Sequence, residues 1–154
     1  MTDRRRKEFD PREFFHGENA FPRKSLGQNF IKDARVIERI VEAAELSADD
    51  CVLEIGPGMG ALTIALAEEA GKVIAIEKDE RVITPLRKLL EGYPNTDVVR
   101  ADCLKLDFRD FYDGKKLKAV SNLPYSISTP VLIKLLGDRE IFSSLVLMLQ
   151  LEVG

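Results

Sequence analysis

The residues from Cys51 to Glu77 combine three closely spaced glycines with carboxylates that a bound ligand could contact. Gly56, Gly58 and Gly60 follow an apolar run that has the composition of a β-strand. A glycine lets a ligand come close to the backbone, and it permits a positive φ in a tight turn. We therefore expect the backbone of this loop to form part of a binding site, with an ordinary glycine turn as the alternative.

The spacing of the loop is G-x-G-x-G, whereas dinucleotide-binding loops have G-x-G-x-x-G and set a pyrophosphate on the helix N-terminus. Glu54, just before the glycines, would add negative charge beside a pyrophosphate, so it favours a cationic or zwitterionic ligand. Glu77 follows the next apolar run and can accept hydrogen bonds from both hydroxyls of a ribose. S-adenosyl-L-methionine, which carries a sulfonium, an ammonium and a ribose, fits these features better than a dinucleotide.

The stretch from Asn122 to Tyr125 (N-L-P-Y) combines groups that could hold a flat aromatic amine. An amide oxygen, the Leu123 carbonyl and an aromatic face stand together at the end of a predicted strand. Two acceptors could bind an exocyclic amine while the ring stacks on the base. A turn with a packed tyrosine is the structural alternative. Asp102, at another strand end, could accept a hydrogen bond from an adenine amino group or cap a turn.

Strands and helices are predicted to alternate around these residues. Asp33, Asp79 and Ser128 are expected to cap helices. The predicted strands are Cys51–Ile55, Lys72–Ile76, 97–101, 117–121 and 144–151, with a helix at 61–70. This alternation predicts an α/β fold with a doubly wound parallel sheet, in which the carboxyl ends of the strands line one crevice.

The composition is that of a globular domain: 154 residues, 45% apolar and 32% charged. No apolar run has the length of a membrane span and the N-terminus is polar, so we expect a cytoplasmic protein. Cys51 and Cys103 are expected to be small buried residues, and His16 has no potential ligands at metal-site spacing, so no metal is expected. The oligomeric state cannot be predicted.

Charge is distributed unevenly along the chain. The net charge of −3 does not indicate nucleic-acid binding. However, basic residues are concentrated near the N-terminus, at Arg4, Arg5, Arg6, Lys7, Arg12, Arg23, Lys24 and Lys32. We expect residues 1–20 to be a basic leader, either a disordered tail or an arm that contacts phosphate, and residues 21–154 to form the domain.

Taken together, Q-N-F (28–30), E-I-G-P-G-M-G (54–60), Glu77, A-D (101–102) and N-L-P-Y (122–125) resemble the motifs of the ribosomal RNA adenine N6-dimethyltransferases. The similarity runs from about Phe21 to the C-terminus, and residues 22–30 resemble the bacterial housekeeping (KsgA or RsmA) branch. The resemblance implies the Rossmann-like class I S-adenosylmethionine-dependent methyltransferase fold. It also implies dimethylation of two adjacent adenosines near the 3′ end of small-subunit (16S) ribosomal RNA, within the immature 30S subunit.

The same resemblance implies roles for individual residues. The implied cofactor contacts are Asn29, Ile31, Gly56, Gly58, Glu77, Asp102 and Asn122, and the residues implied to hold the target adenine are Asn122, Leu123 and Tyr125. Members of this family continue through further strands and a helical RNA-binding domain. We therefore expect an incomplete domain, with the sheet truncated after its fifth strand, that binds the methyl donor without efficient catalysis.

Other functions remain open on the sequence alone. A large-subunit ribosomal RNA methylase of the macrolide-resistance type shares these motifs, although residues 22–30 argue against it. DNA adenine methylases usually carry D-P-P-Y, and an NAD-dependent dehydrogenase would have the other glycine spacing. A non-catalytic RNA-binding or ribosome assembly factor is the alternative outside the enzymes.

Overall fold

The computed structural model describes residues 33–149, in which helices and strands alternate as expected. The basic leader and the implied contacts Asn29 and Ile31 lie outside these residues. The elements are α1 (Ala34–Ala44), β1 (Cys51–Ile55), α2 (Ala61–Glu69), β2 (Lys72–Glu77), α3 (Glu80–Leu89), β3 (Thr96–Arg100), β4 (Leu117–Asn122), α4 (Ser128–Gly137) and β5 (Phe142–Met148). Short 3₁₀ turns lie at Leu90–Gly92, Phe108–Phe111, Tyr125–Ile127 and Arg139–Ile141.

The strands form one parallel sheet in the order β3-β2-β1-β4-β5. The chain moves outward in one direction through β2 and β3 and in the other through β4 and β5, so the strand order reverses between β1 and β4. In open α/β sheets, ligands bind at the carboxyl ends of the strands beside such a reversal. The predicted doubly wound α/β fold is confirmed, and the reversal lies between the glycine loop and the N-L-P-Y stretch.

Each face of the sheet is covered by a different set of elements. Val52 on β1 belongs to a core with α1 and α2, whereas Leu53 and Ile55 belong to a second core with α4 and Phe108. A third cluster packs Leu86 of α3 beside β3. Because both faces are covered, the central strands are nearly continuous apolar runs, as is usual for parallel sheets.

Two of the three predicted helix caps are confirmed. The carboxylates of Asp33 and Asp79 accept backbone N–H groups two residues further on, at 2.9 and 3.0 Å. Ser128 is not a cap: it is the first residue of α4, and its hydroxyl donates to the carbonyl of Tyr125 at 3.0 Å. The 3₁₀ turn immediately before α4 places that carbonyl within reach, so the hydroxyl does not cap the helix.

The boundaries of four strands differ from the prediction, and β2 and β4 each end one residue later, at Glu77 and Asn122. β5 begins two residues earlier than expected, because Phe142 pairs with Leu117 of β4, and it ends at Met148, which pairs with Asn122. Within the described residues β5 lies at the edge of the sheet, and its side chains are mostly half-buried. β3 starts and ends one residue earlier than predicted.

Three further findings concern membrane-spanning helices, metal-binding groups and the two cysteines. In the region from 33 to 149, no helix combines the length and the apolarity needed to cross a membrane. The same region contains no group of three or more side chains suited to hold a metal ion. Cys103 is buried, Cys51 is half-buried, and both thiols are free.

Candidate functional site

The loop after β1 depends on the backbone freedom of glycine. Gly56, Gly58 and Gly60 have φ values of 70°, 55° and 85°, which side-chain-bearing residues rarely adopt. A Cβ on Gly60 would lie 2.7 Å from Leu86 Cδ1 and 2.8 Å from Leu89 Cδ2. Gly60 therefore allows the start of α2 to pack closely on α3.

The same loop contacts the N-L-P-Y stretch. A Cβ on Gly56 would lie 3.4 Å from Cδ of Pro124, so these two motifs meet beyond the carboxyl ends of the paired strands β1 and β4. Below them, the buried Ser121 hydroxyl accepts the N–H of Ile55 at 2.7 Å and joins the two strands near their carboxyl ends. Ser121 was not predicted to have this role, although a serine inside an apolar strand next to Asn122 was a usable signal.

Glu77 is the last residue of β2, and its carboxyl group is held by the backbone of two loops. Its two oxygens accept the N–H groups of Asp79 at 3.0 Å and Gly58 at 3.3 Å. The side chain is only 4% exposed. Burial raises the pKa of Glu77, and the hydrogen bonds from Asp79 and Gly58 act in the opposite direction. Glu77 thus connects the glycine loop to the end of β2.

Glu54, on the neighbouring strand β1, is also buried, and the hydrogen bond that it accepts comes from a hydroxyl group and not from backbone N–H groups. It is 2% exposed, and one oxygen accepts a 2.6 Å hydrogen bond from the hydroxyl of Thr63 on α2. Burial raises the pKa of Glu54 to about 8, against the effect of the Thr63 hydrogen bond, and the nearby charge of Glu77 raises it further. At neutral pH this carboxyl group is therefore mostly protonated, and a cation beside it would favour the carboxylate. Thr63 was not identified from the sequence.

Asp102 follows β3 and closes a tight turn. Its Oδ1 accepts the N–H of Leu104 at 3.0 Å, and the ammonium of Lys78 lies 3.4 Å from Oδ2. The Leu104 hydrogen bond lowers the pKa of Asp102, burial opposes this, and the charge of Lys78 lowers it further. Asp102 is consequently a carboxylate at neutral pH, with acceptor capacity left for a ligand.

The N-L-P-Y residues have distinct environments at the end of β4. Leu123 is buried and its N–H donates to the carbonyl of Met148 at 3.1 Å, which fixes this segment to β5. Tyr125 begins a 3₁₀ turn and is 45% exposed. A packed tyrosine, the structural alternative for this stretch, does not agree with that exposure, whereas an exposed ring can stack on a base.

These strand ends surround one cavity of about 500 Å³, which is within the usual range for small-molecule sites. Its lining includes Glu54, Gly56, Gly58, Glu77, Asp102 and Asn122, together with Pro124 and the basic residues Lys78, Arg81 and Arg100. Leu123 and Tyr125 do not line it, and Tyr125 lies beside it at the surface. The structure thus brings together five of the seven residues implied to contact the cofactor. The basic rim was not predicted.

The shape and chemistry of the cavity fit S-adenosylmethionine. The backbone approaches the cavity closely at Gly56 and Gly58, a buried carboxyl group stands at the end of β2, and a second acidic group lies at Glu54. The carboxyl group of Glu77 can accept hydrogen bonds from the hydroxyls of a ribose. The carboxyl group of Glu54 favours a positively charged ligand.

The comparison with protein families agrees with this geometry. The family model described as ribosomal RNA adenine dimethylase matches residues 20–154. The chain belongs to this family. Relatives named ribosomal RNA small subunit methyltransferase A, from Geobacter metallireducens and Geobacter sulfurreducens, are 45% and 48% identical to it. Each alignment covers 141 residues, 90% of this chain and 51% of the relative, so the chain corresponds to about half of these family members.

Solved structures give the same result for the fold. The 23S ribosomal RNA methyltransferase ErmE is 37% identical, with a TM-score of 0.70 over 80% of this chain and 48% of ErmE. A dimethyladenosine transferase from Plasmodium falciparum is 39% identical, with a TM-score of 0.67 over 79% of this chain and 43% of that protein. The Rossmann-like methyltransferase fold predicted from the sequence is therefore confirmed.

Proposed function

We propose that this protein takes part in the S-adenosylmethionine-dependent N6-dimethylation of adenosines in small-subunit ribosomal RNA. One observation carries the proposal: the glycine loop contacts Pro124 beside a cavity that Glu77 and Asn122 also line. The membership of the chain in this family supports the same conclusion. The names of its curated relatives support the small subunit as the substrate. The finer proposal is two adjacent adenosines near the 3′ end, modified in the immature 30S subunit in the cytoplasm.

The cofactor supplies a methyl group on a positively charged sulfonium. For its binding, we assign the ribose hydroxyls to Glu77, the close backbone approach to Gly56 and Gly58, and the adenine amino group to Asp102. Asn29 and Ile31 complete this proposed set from residues outside the described range. We place the cofactor-binding domain at residues 21–154 and assign residues 1–20 to contacts with RNA phosphate.

The target adenine would be held at the end of β4. Its amino group is a weak nucleophile because the nitrogen lone pair is delocalised into the ring. Accepting its two N–H bonds at the Asn122 amide oxygen and the Leu123 carbonyl favours a tetrahedral nitrogen and aligns it for transfer. Tyr125 is exposed and available to stack on the base, which must leave its own stack to reach this position. The amino proton becomes acidic once the nitrogen is methylated, so no strong base is required.

The similarity to ErmE favours one alternative, methylation of large-subunit ribosomal RNA. The identity to ErmE is 37%, whereas the small-subunit relatives reach 48%. The two functions differ in the RNA that contacts the surface around Tyr125, and they use the same cofactor cavity.

The test is to incubate the 154-residue chain with labelled S-adenosylmethionine and either unmethylated 30S or unmethylated 50S subunits. We expect label in 30S adenosines, at a low rate because the chain corresponds to about half of its relatives, and none with Asn122→Ala. Label only in 50S subunits would establish the alternative. Calorimetry on the chain alone is the companion measurement, since binding of NADH and not S-adenosylmethionine would refute the proposal. Cofactor binding with tight binding to 30S but no transfer would indicate a non-catalytic RNA-binding factor.

A further inference from the structure

Lys134 lies on α4 and reaches the loop that follows β3. Its ammonium donates to the carbonyl of Cys103 at 2.8 Å and to the carbonyl of Leu106, and it lies 4.6 Å from the centre of the Phe108 ring. Phe108 is completely buried and Lys134 is half-buried. An ammonium has three donors, and two carbonyls and a ring face offer an acceptor to each of them. A lysine held at three points acts as a fixed link between elements.

The two carbonyls that Lys134 binds belong to the turn that orients Asp102. The carbonyl of Asp102 accepts the N–H of Lys105 at 2.9 Å, and its carboxylate accepts the N–H of Leu104 at 3.0 Å. Cys103 and Leu106 flank Leu104 and Lys105 in the chain. Because Lys134 binds the carbonyls on both sides of Leu104 and Lys105, its contacts fix the shape of the turn and therefore the direction of the Asp102 carboxylate.

The other end of this link is the N-L-P-Y stretch. α4 begins three residues after Tyr125, and the Ser128 hydroxyl binds the Tyr125 carbonyl. Upstream, Pro124 contacts the glycine loop. A single short helix therefore connects the segment assigned to the target base with the turn assigned to the adenine of the cofactor, and Lys134 makes the connection at its C-terminal end.

We propose that Lys134 is a positioning residue that holds the turn from Asp102 to Leu106 in the conformation that recognises the adenine amino group of the cofactor. This inference rests on the proposed function, because it takes Asp102 as the acceptor of that amino group. Without Lys134 the turn loses two hydrogen bonds, to the carbonyls of Cys103 and Leu106, and ordering it again on ligand binding costs affinity.

A double-mutant cycle tests the proposal by calorimetry with S-adenosylhomocysteine on the 154-residue chain. We expect Asp102→Ala to weaken binding about tenfold or more, since it removes a hydrogen bond to a charged group. Lys134→Met, which keeps the aliphatic stem, should weaken binding about fivefold or more because the disordered turn must be ordered on binding. The double variant should bind within about twofold of Asp102→Ala, because Lys134 acts through Asp102. Additive losses would overturn the proposal.

A second readout separates positioning from general stability. We use the inosine analogue of S-adenosylhomocysteine, in which an oxo group replaces the adenine amino group. The wild-type chain should prefer the adenine ligand, and Lys134→Met should reduce this preference severalfold, whereas Lys134→Arg should restore it. An unchanged preference with a lower melting temperature would show that Lys134 is only structural.

Controls keep each outcome interpretable. Lys116→Met removes an exposed lysine before β4 and should change neither binding nor preference. If Lys134→Met does not fold, Lys134→Gln, which retains one donor, is measured by the same criteria. Normal binding by Asp102→Ala would refute the adenine assignment in the proposed function, and this inference with it. Weak binding by Asp102→Ala with normal binding by Lys134→Met would refute the inference alone.

Discussion

Two buried carboxyl groups face the same cavity, and their hydrogen bonds differ. Glu77 accepts two backbone N–H groups, whereas Glu54 accepts a hydrogen bond from the Thr63 hydroxyl. Fixed N–H donors stabilise a carboxylate, while a hydroxyl can also accept from a protonated acid. Glu77 is therefore suited to bind hydroxyl groups as an anion, and Glu54 is suited to change its protonation state when a cation arrives.

The first prediction concerns the pH dependence of folding. The pKa of Glu54 is about 8 in the folded chain, whereas an unfolded chain has the ordinary glutamate value of 4.5. Between these values the unfolded state releases a proton that the folded state keeps, so the free energy of unfolding falls as pH rises. Replacing Glu54 by Gln should remove a decline of up to a few kcal/mol between pH 5 and pH 8, since one pKa unit corresponds to about 1.4 kcal/mol. Urea unfolding of both chains at the two pH values measures this, and equal slopes would contradict it.

The second prediction concerns Glu77. Glu77→Ala should weaken S-adenosylmethionine binding by about 1 to 3 kcal/mol, the usual cost of losing hydrogen bonds to a charged group. Calorimetry provides the affinity, and Glu91→Ala, which removes an exposed carboxylate after α3, is the matched control. Unchanged affinity in Glu77→Ala would remove the ribose assignment.

At the scale of elements, the sequence predicted best where a local rule decides the structure. The helical spacing of Ile37, Ile40 and Ala44 indicates which side of α1 is buried, and the capping residue Asp33 indicates where the helix begins. The start of β5 could not be predicted, because it depends on pairing with Leu117 after a register shift on β4. Likewise, residue 60 must be a glycine because a Cβ there would clash with side chains of α3. The sequence around residue 60 does not show that this contact exists.

The site shows the same limit. Strand-end residues such as Glu77 and Asn122 could be identified because a parallel sheet brings carboxyl ends to one edge. Thr63 and Lys134 could not, since their partners are carboxyl and carbonyl groups on other elements. Side chains that support the site from a neighbouring helix carry no spacing signal of their own.

The third prediction concerns the connection between α1 and the sheet. The ammonium of Lys118 donates to the carbonyls of Ala44 and Glu45 at 3.2 and 2.8 Å, and it lies 3.1 Å from the carboxylate of Asp50. Both charged side chains are mostly buried. Lys118→Met removes the ammonium that binds the carbonyls at the end of α1 and the carboxylate of Asp50. We therefore expect the free energy of unfolding to fall by about 2 to 4 kcal/mol. Urea unfolding tests this, with the exposed Lys116→Met expected within about 0.5 kcal/mol of wild type.

At the scale of the whole molecule, α4 exposes large apolar side chains and β5 leaves one edge of the described sheet unpaired. Ile133 and Leu136 of α4 are 66% and 49% exposed, and β5 lies at the edge of the described sheet. Unpaired parallel edges and exposed apolar side chains favour association with other chains. Neither Ile133 nor Leu136 lines the cofactor cavity, so binding and self-association can be measured separately.

The last prediction is that the 154-residue chain self-associates through α4 and β5. Sedimentation velocity should show a sedimentation coefficient that rises with protein concentration, and Ile133→Glu should shift the distribution towards monomer, because a charge on this surface must lose its hydration to be buried in an interface. Lys88→Glu also changes charge, but it alters an exposed residue of α3, which packs beside β3 at the other edge of the described sheet, so it should leave association unchanged. Both variants should bind S-adenosylmethionine normally, since neither residue lines the cavity. A wild-type chain that remains monomeric at all concentrations would contradict the prediction.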